Sequence, residues 1–477
     1  MGFVWTRRGN ACWMLCREKG DSVVNDAGHF EAQGQWWLPE RENHKVSGTL
    51  KYDPISGASL HLIGALRDLF ESARSATDNG ETTLHITQGS LETSGIYPRI
   101  HGVAGSKAFT LVDCFQSYSS GLMNGGGIER IHVSRFLRGA IFAPDEELAA
   151  TDLSLRIKYL GHYIDRSGIE KRELLATEKG VAHSWLKGKD LATESVSLSN
   201  GDTVNLAHWV GMSGDGISEF KMTQEFRFQI SSSALRSMDE LIHVASDIQD
   251  LVSITTDRAA PFVQLSFSHP DLYREYDESR YPESIDYFAR WHAREEGQAA
   301  ELHRHELFFS FSDFDGMAGL ARWLEAAARH RDALGRVMAT RYAKRMFVSD
   351  ILLNVAASLE AFDRTATGFV SSTFRTRLNR CVVLAGEPLG SLVGSETGAW
   401  VDMVKAHRDD VAHHSGYFIN DDSSTQFFLG QSLYWLFVLC MLREASAPDV
   451  VFRRVQNHQD FLYLAPKIQS AMAAEQH

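Results

Sequence analysis

The sequence predicts an α+β protein: an antiparallel, β-rich N-terminal region followed by a C-terminal all-α bundle. Two observations carry this. Between residues 27 and 268, apolar residues alternate with polar ones in short runs punctuated by Gly, Pro, Asn and Asp, the pattern of half-buried strands. After Asp313 the apolar period lengthens to that of helices and stays so to the end. With 477 residues and 44% hydrophobic content, the chain can form two or three domains with real cores.

Taken in order, residues 1–26 lack a clean period and read as an N-terminal extension or a ragged first strand. Strands are then predicted over residues 30–39, 46–54 and 60–64, the last two joined by a turn at Ser56-Gly57. Further strands fit residues 82–87, 108–115, 129–134, 140–142 and 153–157. The run 121–127 is glycine-rich but has neither a following Lys-Ser/Thr nor a GxGxxG pattern, so it reads as a hairpin, not a phosphate loop. Residues 195–198, 203–206, 220–230 and 262–267 continue the strand pattern, interrupted by helical spacing over 235–254. A linker is expected over 269–312, rich in Tyr, Pro and charge. Helices are predicted over 316–328, 330–364, 373–385, 400–414, 426–445 and 460–474, which makes residues 313–477 a helical domain.

A net charge of about −13 argues against a protein that coats nucleic acid non-specifically, although a local basic patch is compatible with it. The five cysteines are scattered and odd in number, which fits unpaired thiols in a reducing compartment. Cys12 and Cys16 lack a second pair, and His303-Arg304-His305 lacks further ligands at a familiar spacing, so no metal is expected at either. No run of eighteen apolar residues and no secretory leader is seen, so a cytoplasmic protein without a membrane partner is expected.

The arrangement best suited to chemistry is Arg408-Asp409-x-x-x-His413. Arginine keeps its charge and binds phosphate bidentately, while imidazole titrates near neutral pH, a pairing that suits phosphoryl transfer. On a helix Asp409 and His413 share a face, so the carboxylate can hold one ring nitrogen and leave the other free. Arg408 lies about 140° round the helix from His413, so its long side chain must bend back to share a phosphate. The competing reading is a solvated, mixed-charge helix. A second Arg-x4-His, Arg453 to His458, has Arg454 in place of the acid and is assigned to chance.

A helical bundle bearing this motif, followed by small residues and the aromatic helix around residues 427–436, resembles the HEPN superfamily. That resemblance implies a metal-independent RNase centre, without cofactor, at a dimer cleft. It also implies an acidic residue on an earlier helix; Glu360 occupies the matching place, either holding Arg408 or simply salt-bridged on its helix. The pattern Gly34-Gln-Trp-Trp-Leu-Pro39, Ser47-Gly-Thr-Leu50 and Leu60-His-Leu-Ile-Gly64 resembles the β-rich N-terminal domain of the ApeA family, in which such a domain is coupled to a C-terminal HEPN in bacterial anti-phage defence. The two resemblances together imply an RNA endonuclease that cuts cellular RNA such as tRNA when a phage-derived trigger is sensed.

In that scheme His413 supplies the acid or base and Arg408 the positive charge, Asp409 fixes the imidazole tautomer, and a second imidazole comes from a dimer partner or from His407 or His414. Residues 321–380 carry a net charge of +6, and Arg336, Arg341, Lys344, Arg345, Arg375, Arg377 and Arg380 are the candidate RNA-binding residues, the alternative being a solvated face paired with acids elsewhere. Two rivals differ in class: a catalytically silent HEPN dimer serving as scaffold or RNA-binding module, and a ligand-binding β domain built on Trp36 and Trp37 with the helices as a dimerisation handle. A metal-dependent nuclease ranks last.

Overall fold

The computed structural model describes residues 28–67, 73–78, 81–86, 95–120, 127–174, 183–189, 191–215, 218–276, 279–290, 302–413 and 423–475. The expected extension at 1–26, the body of the glycine-rich run and His414 lie outside these residues. The chain divides into two compact units after Ser134. An α+β architecture is observed, with strands leading and helices closing the chain.

The first unit is a closed antiparallel barrel. Its strands are β1 (Phe30–Trp37), β2 (Val46–Asp53), β3 (Gly57–Ile63), β6 (Ile96–Ala104), β7 (Lys107–Ser120) and the leading part of β8 (Ile128–Arg138); β4 (Ala73–Asp78) and β5 (Glu81–Ile86) form a separate hairpin. The order β8-β3-β2-β1-β6-β7 returns on itself because β7 also pairs with β8, which leaves no free edge. Alternation decides which side chains go inside: Leu50, Leu60, Ile100, Leu111 and Ile131 are fully buried, whereas Glu31, Lys51 and Arg130 face out. Trp36 lies over Gly102, where a Cβ would stand 2.1 Å from the indole, so only glycine lets the ring seat. Glu129 is buried yet satisfied, accepting from Leu66 N, Tyr97 Oη and Gln116 Nε2. Tyr97 is held in its neutral form by burial and by that carboxylate.

The second unit opens on a sheet ordered β12-β13-β14-β9-β15-β18, formed by β9 (Ala149–Ile157), β12 (Glu194–Ser197), β13 (Thr203–Ser213), β14 (Lys221–Ser237), β15 (Phe262–Ser268) and β18 (Ile285–Ala289). Residues 135–138 of β8 pair with β18, and Phe136 stacks on Phe288 at 4.6 Å. Two small hairpins, β10 (Ile169–Leu174) with β11 (His183–Gly188) and β16 (Tyr273–Tyr276) with β17 (Ser279–Pro282), were not expected. Residues 140–142, expected as a strand, are irregular. Between α1 (Leu160–Ile164) and the later helices, α2 (Met238–Thr256) packs along β9 and β14 and buries Leu241, Ala245, Ile248 and Leu251, one stripe at helical spacing.

The described residues of the expected linker at 269–312 are built into this unit instead. Ile285 and Tyr287 are sheet residues, and Phe308, Phe309 and Phe311 are fully buried. Backbone hydrogen bonds from Phe308 N to Thr255 O and from Phe311 N to Tyr163 O fix the segment.

Nine helices follow among the described residues: α3 (Gly316–Arg329), α4 (Arg331–Tyr342), α5 (Val348–Thr367), α6 (Phe374–Ala385), α7 (Glu387–Val393), α8 (Thr397–His413), α9 (Ser423–Glu444), α10 (Asp449–Asn457) and α11 (Gln459–Glu475). The single long helix expected over 330–364 is two. No Gly or Pro marks the break at Ala343; in the last turn of α4, Arg341 and Tyr342 donate to Asp257 and Asp250. Helix α9 is the bundle's centre, with residues 433–442 buried. Among the described residues it alone is long and apolar enough to cross a membrane, and 72% of its most apolar window is covered by protein. Cys114, Cys381 and Cys440 are free and buried.

Candidate active site

Helix α8 turns one face inward through Trp400, Val401, Val404 and His407. Trp400 fixes its rotation, donating from Nε1 to Ser432 Oγ on α9 at 3.1 Å. The opposite face therefore presents Lys405, Arg408 and Asp409, with His413 exposed as the last helical residue.

Arg408 is gripped from three sides. Its Nη2 donates to Glu360 Oε1 on α5 at 3.2 Å, its Nη1 donates to Asp409 Oδ1 at 3.0 Å, and its guanidinium carbon lies 5.2 Å from the centre of the Phe374 ring. With the side chain 29% exposed, the charge is held at the surface but not loose in solvent. Glu360 thus does hold Arg408. Lys405 completes the cluster, donating to Asp409 Oδ2 at 2.8 Å. Burial alone would raise the Asp409 carboxyl, but hydrogen bonds from Lys405 and Arg408 outweigh it and hold the group below its ordinary value.

Two expected roles change. Asp409 was to orient His413, yet both of its oxygens are taken by cations, and among the described residues no hydrogen bond reaches the His413 ring. A charged partner within reach outcompetes a neutral imidazole for a carboxylate. His407, one candidate for a second imidazole, is fully buried on the inner face. His458 of the second Arg-x4-His is also buried, packed on Phe308 with ring centres 3.9 Å apart, and burial lowers its pKa.

The basic cluster divides by burial. Arg336, Lys344 and Arg345 are exposed, and Arg375 forms an exposed pair with Asp402. Arg341, Arg377 and Arg380, expected to hold RNA, are structural. Arg341 pairs with Asp257 and lies over Tyr434 on α9, while Arg377 and Arg380 both bond the buried Asp363. Arg322, Arg329 and Arg331 are likewise paired, with Asp315, Glu444 and Asp247. Counting charge along the chain missed this, because a buried cation and a free one add equally. Phe374 lies beneath Arg408, a placement that no local spacing signals. Among the described residues, no cluster of three His, Cys, Asp or Glu side chains is placed to hold a metal.

Residues 31–323, the barrel and the sheet-bearing part of the second unit through most of α3, match the family model of ApeA N-terminal domain 1. The chain belongs to that family. Membership associates it with ApeA-type anti-phage defence. The ApeA-type region ends before Glu360 and Arg408, so the cluster stands on the part of the chain that the match does not cover. No curated protein and no solved structure matches the chain.

Proposed function

We propose that the chain is a HEPN-type, metal-independent endoribonuclease acting in anti-phage defence, and that it cuts cellular RNA such as tRNA when the ApeA-type region senses infection. The observation that carries the reading is the Glu360–Arg408 pair joining α5 to α8, with an exposed His413 on the same helix.

The chemistry follows from those groups. A base takes the proton of the RNA 2′-hydroxyl, the 2′-oxygen attacks phosphorus, and the bond to the 5′-oxygen breaks as an acid protonates that leaving oxygen; the products are a 2′,3′-cyclic phosphate and a 5′-hydroxyl end. The pentavalent phosphorane gathers negative charge, which Arg408 is placed to neutralise with donors not engaged by the carboxylates. His413 supplies one of the two proton-transfer groups, and with His407 buried, the second comes from His413 of another copy in a homodimer.

The test is growth and RNA integrity in cells producing wild type, Arg408→Ala, His413→Ala or His458→Ala, with and without phage. Wild type should degrade RNA or block phage, and Arg408→Ala and His413→Ala should lose this by about a hundredfold or more. His458→Ala should keep it in proportion to folded protein. Four proteins that fold, dimerise and behave alike would replace the nuclease with a silent scaffold.

A further inference from the structure

We infer that Phe374 is a positioning residue for Arg408, and that a clamp of the buried Asp363 and Arg377 with the half-buried Arg380 holds Phe374 in place. The inference rests on the nuclease reading of the same site. Glu360 and Asp409 each engage one terminal nitrogen of Arg408, and neither defines the plane of the guanidinium. A flat ring 5.2 Å from the guanidinium carbon does, because a planar cation over an aromatic face loses attraction as it tilts away. The N–H groups at the guanidinium edge that Glu360 and Asp409 do not engage are left for a phosphate.

Phe374 is the first residue of α6, half-buried, with its ring packed at the edge of the hydrophobic core. Its surroundings are fixed from below. Thr373 caps the helix, its Oγ1 accepting from Thr376 N. Arg377, whose side chain is 3% exposed, donates from Nη2 to Val370 O and from Nε to Ser372 O, so it ties down the chain leading into α6. Arg377 and Arg380 then converge on Asp363, at 3.2 Å for Arg377 Nη1 and 2.6 Å for Arg380 Nε. Asp363 lies three residues after Glu360, close along the same helix. A single turn of α5 therefore pulls Arg408 inward through Glu360 and locks the platform beneath it through Asp363.

The experiment uses the purified full chain with total bacterial RNA as probe, with and without extract of phage-infected cells. It compares initial rates over a range of RNA concentrations for wild type, Phe374→Leu, Phe374→Met, Phe374→Tyr, Arg408→Ala and His413→Ala. Leu and Met keep apolar bulk without a ring face and should lower kcat by about tenfold with KM little changed. Tyr keeps the face and should restore the rate. Melting temperatures check that Leu or Met remains folded, and either one that does is sufficient. Wild-type rates in both Leu and Met, or a Tyr variant as slow as they are, would overturn the inference while leaving the nuclease intact, provided that Arg408→Ala and His413→Ala are inactive. A wild type that leaves RNA whole under both conditions, or Arg408→Ala and His413→Ala as fast as wild type, would remove the nuclease reading and this inference with it.

Discussion

Replacing Asp363 by alanine tests the clamp as a matter of stability alone. The carboxylate is almost fully enclosed and neutralises two guanidinium groups, one of them 3% exposed. Removing one partner of a buried ion pair costs about 3–5 kcal/mol, because the remaining charge stays buried without compensation. Here the cost falls toward about 3 kcal/mol, since Arg377 keeps its bonds to Val370 O and Ser372 O, and Arg380, at 30% exposure, can turn to water. Urea unfolding followed by circular dichroism should show that loss, and a thermal scan a fall of roughly 5–10 °C. The double variant Asp363→Leu with Arg377→Met, which removes both charges together, should recover most of it, because apolar replacement of a buried pair is often neutral. An alanine variant within about 1 kcal/mol of wild type, or a double variant no better than the single, would show that Arg377 does not depend on Asp363.

Two further outcomes follow from burial elsewhere. Gly102→Ala should destabilise the barrel by about 1–3 kcal/mol, because the added Cβ would meet the fully buried Trp36 ring at 2.1 Å; an unchanged melting temperature would show that the ring can move. Burial raises the Asp247 carboxyl to about 7 against the pull of Arg331, and raises Asp250 in the same direction, so both bind protons in the fold at a pH where the unfolded chain has released them. The Asp247 contribution to stability is therefore complete below about pH 4 and lost as pH rises through about 7, and that of Asp250 is likewise lost as pH rises. Relative to wild type, Asp247→Asn should gain on the order of 2–4 kcal/mol between pH 5 and pH 8 in unfolding experiments, and parallel profiles would refute the assignment.

Local pattern made much of this molecule legible. Alternation placed β1 to β3 because the side chains of a strand report its two faces directly, and motif spacing on one helix brought forward Arg408 and Asp409, whereas Glu360 came only from the resemblance to the HEPN superfamily. Closure of the barrel was not legible, since the β7–β8 pairing adds no local signal beyond that of the strands themselves. Helix α7 did leave a signal, with Pro388 at its start and Gly394 just past its end, but seven residues are too few for a period to show. The break between α4 and α5 left none, since no Gly or Pro stands there.

The site shows the same division, with a chemical reason for it. A catalytic motif can be spaced along one helix, because the helix sets the geometry of its own residues. Most of the groups around Arg408 come from other elements: Glu360 from α5, Phe374 from α6, and Asp363, which holds α6. Charge is blind in the same way. A sequence sum gives Arg377 the same weight as Arg345, although one is sealed against Asp363 and the other faces water. Burial separates cations that support the site from cations at the surface, and burial is a property of the fold. Of the seven basic residues that composition brings forward, Arg336, Lys344, Arg345 and Arg375 are the ones at the surface.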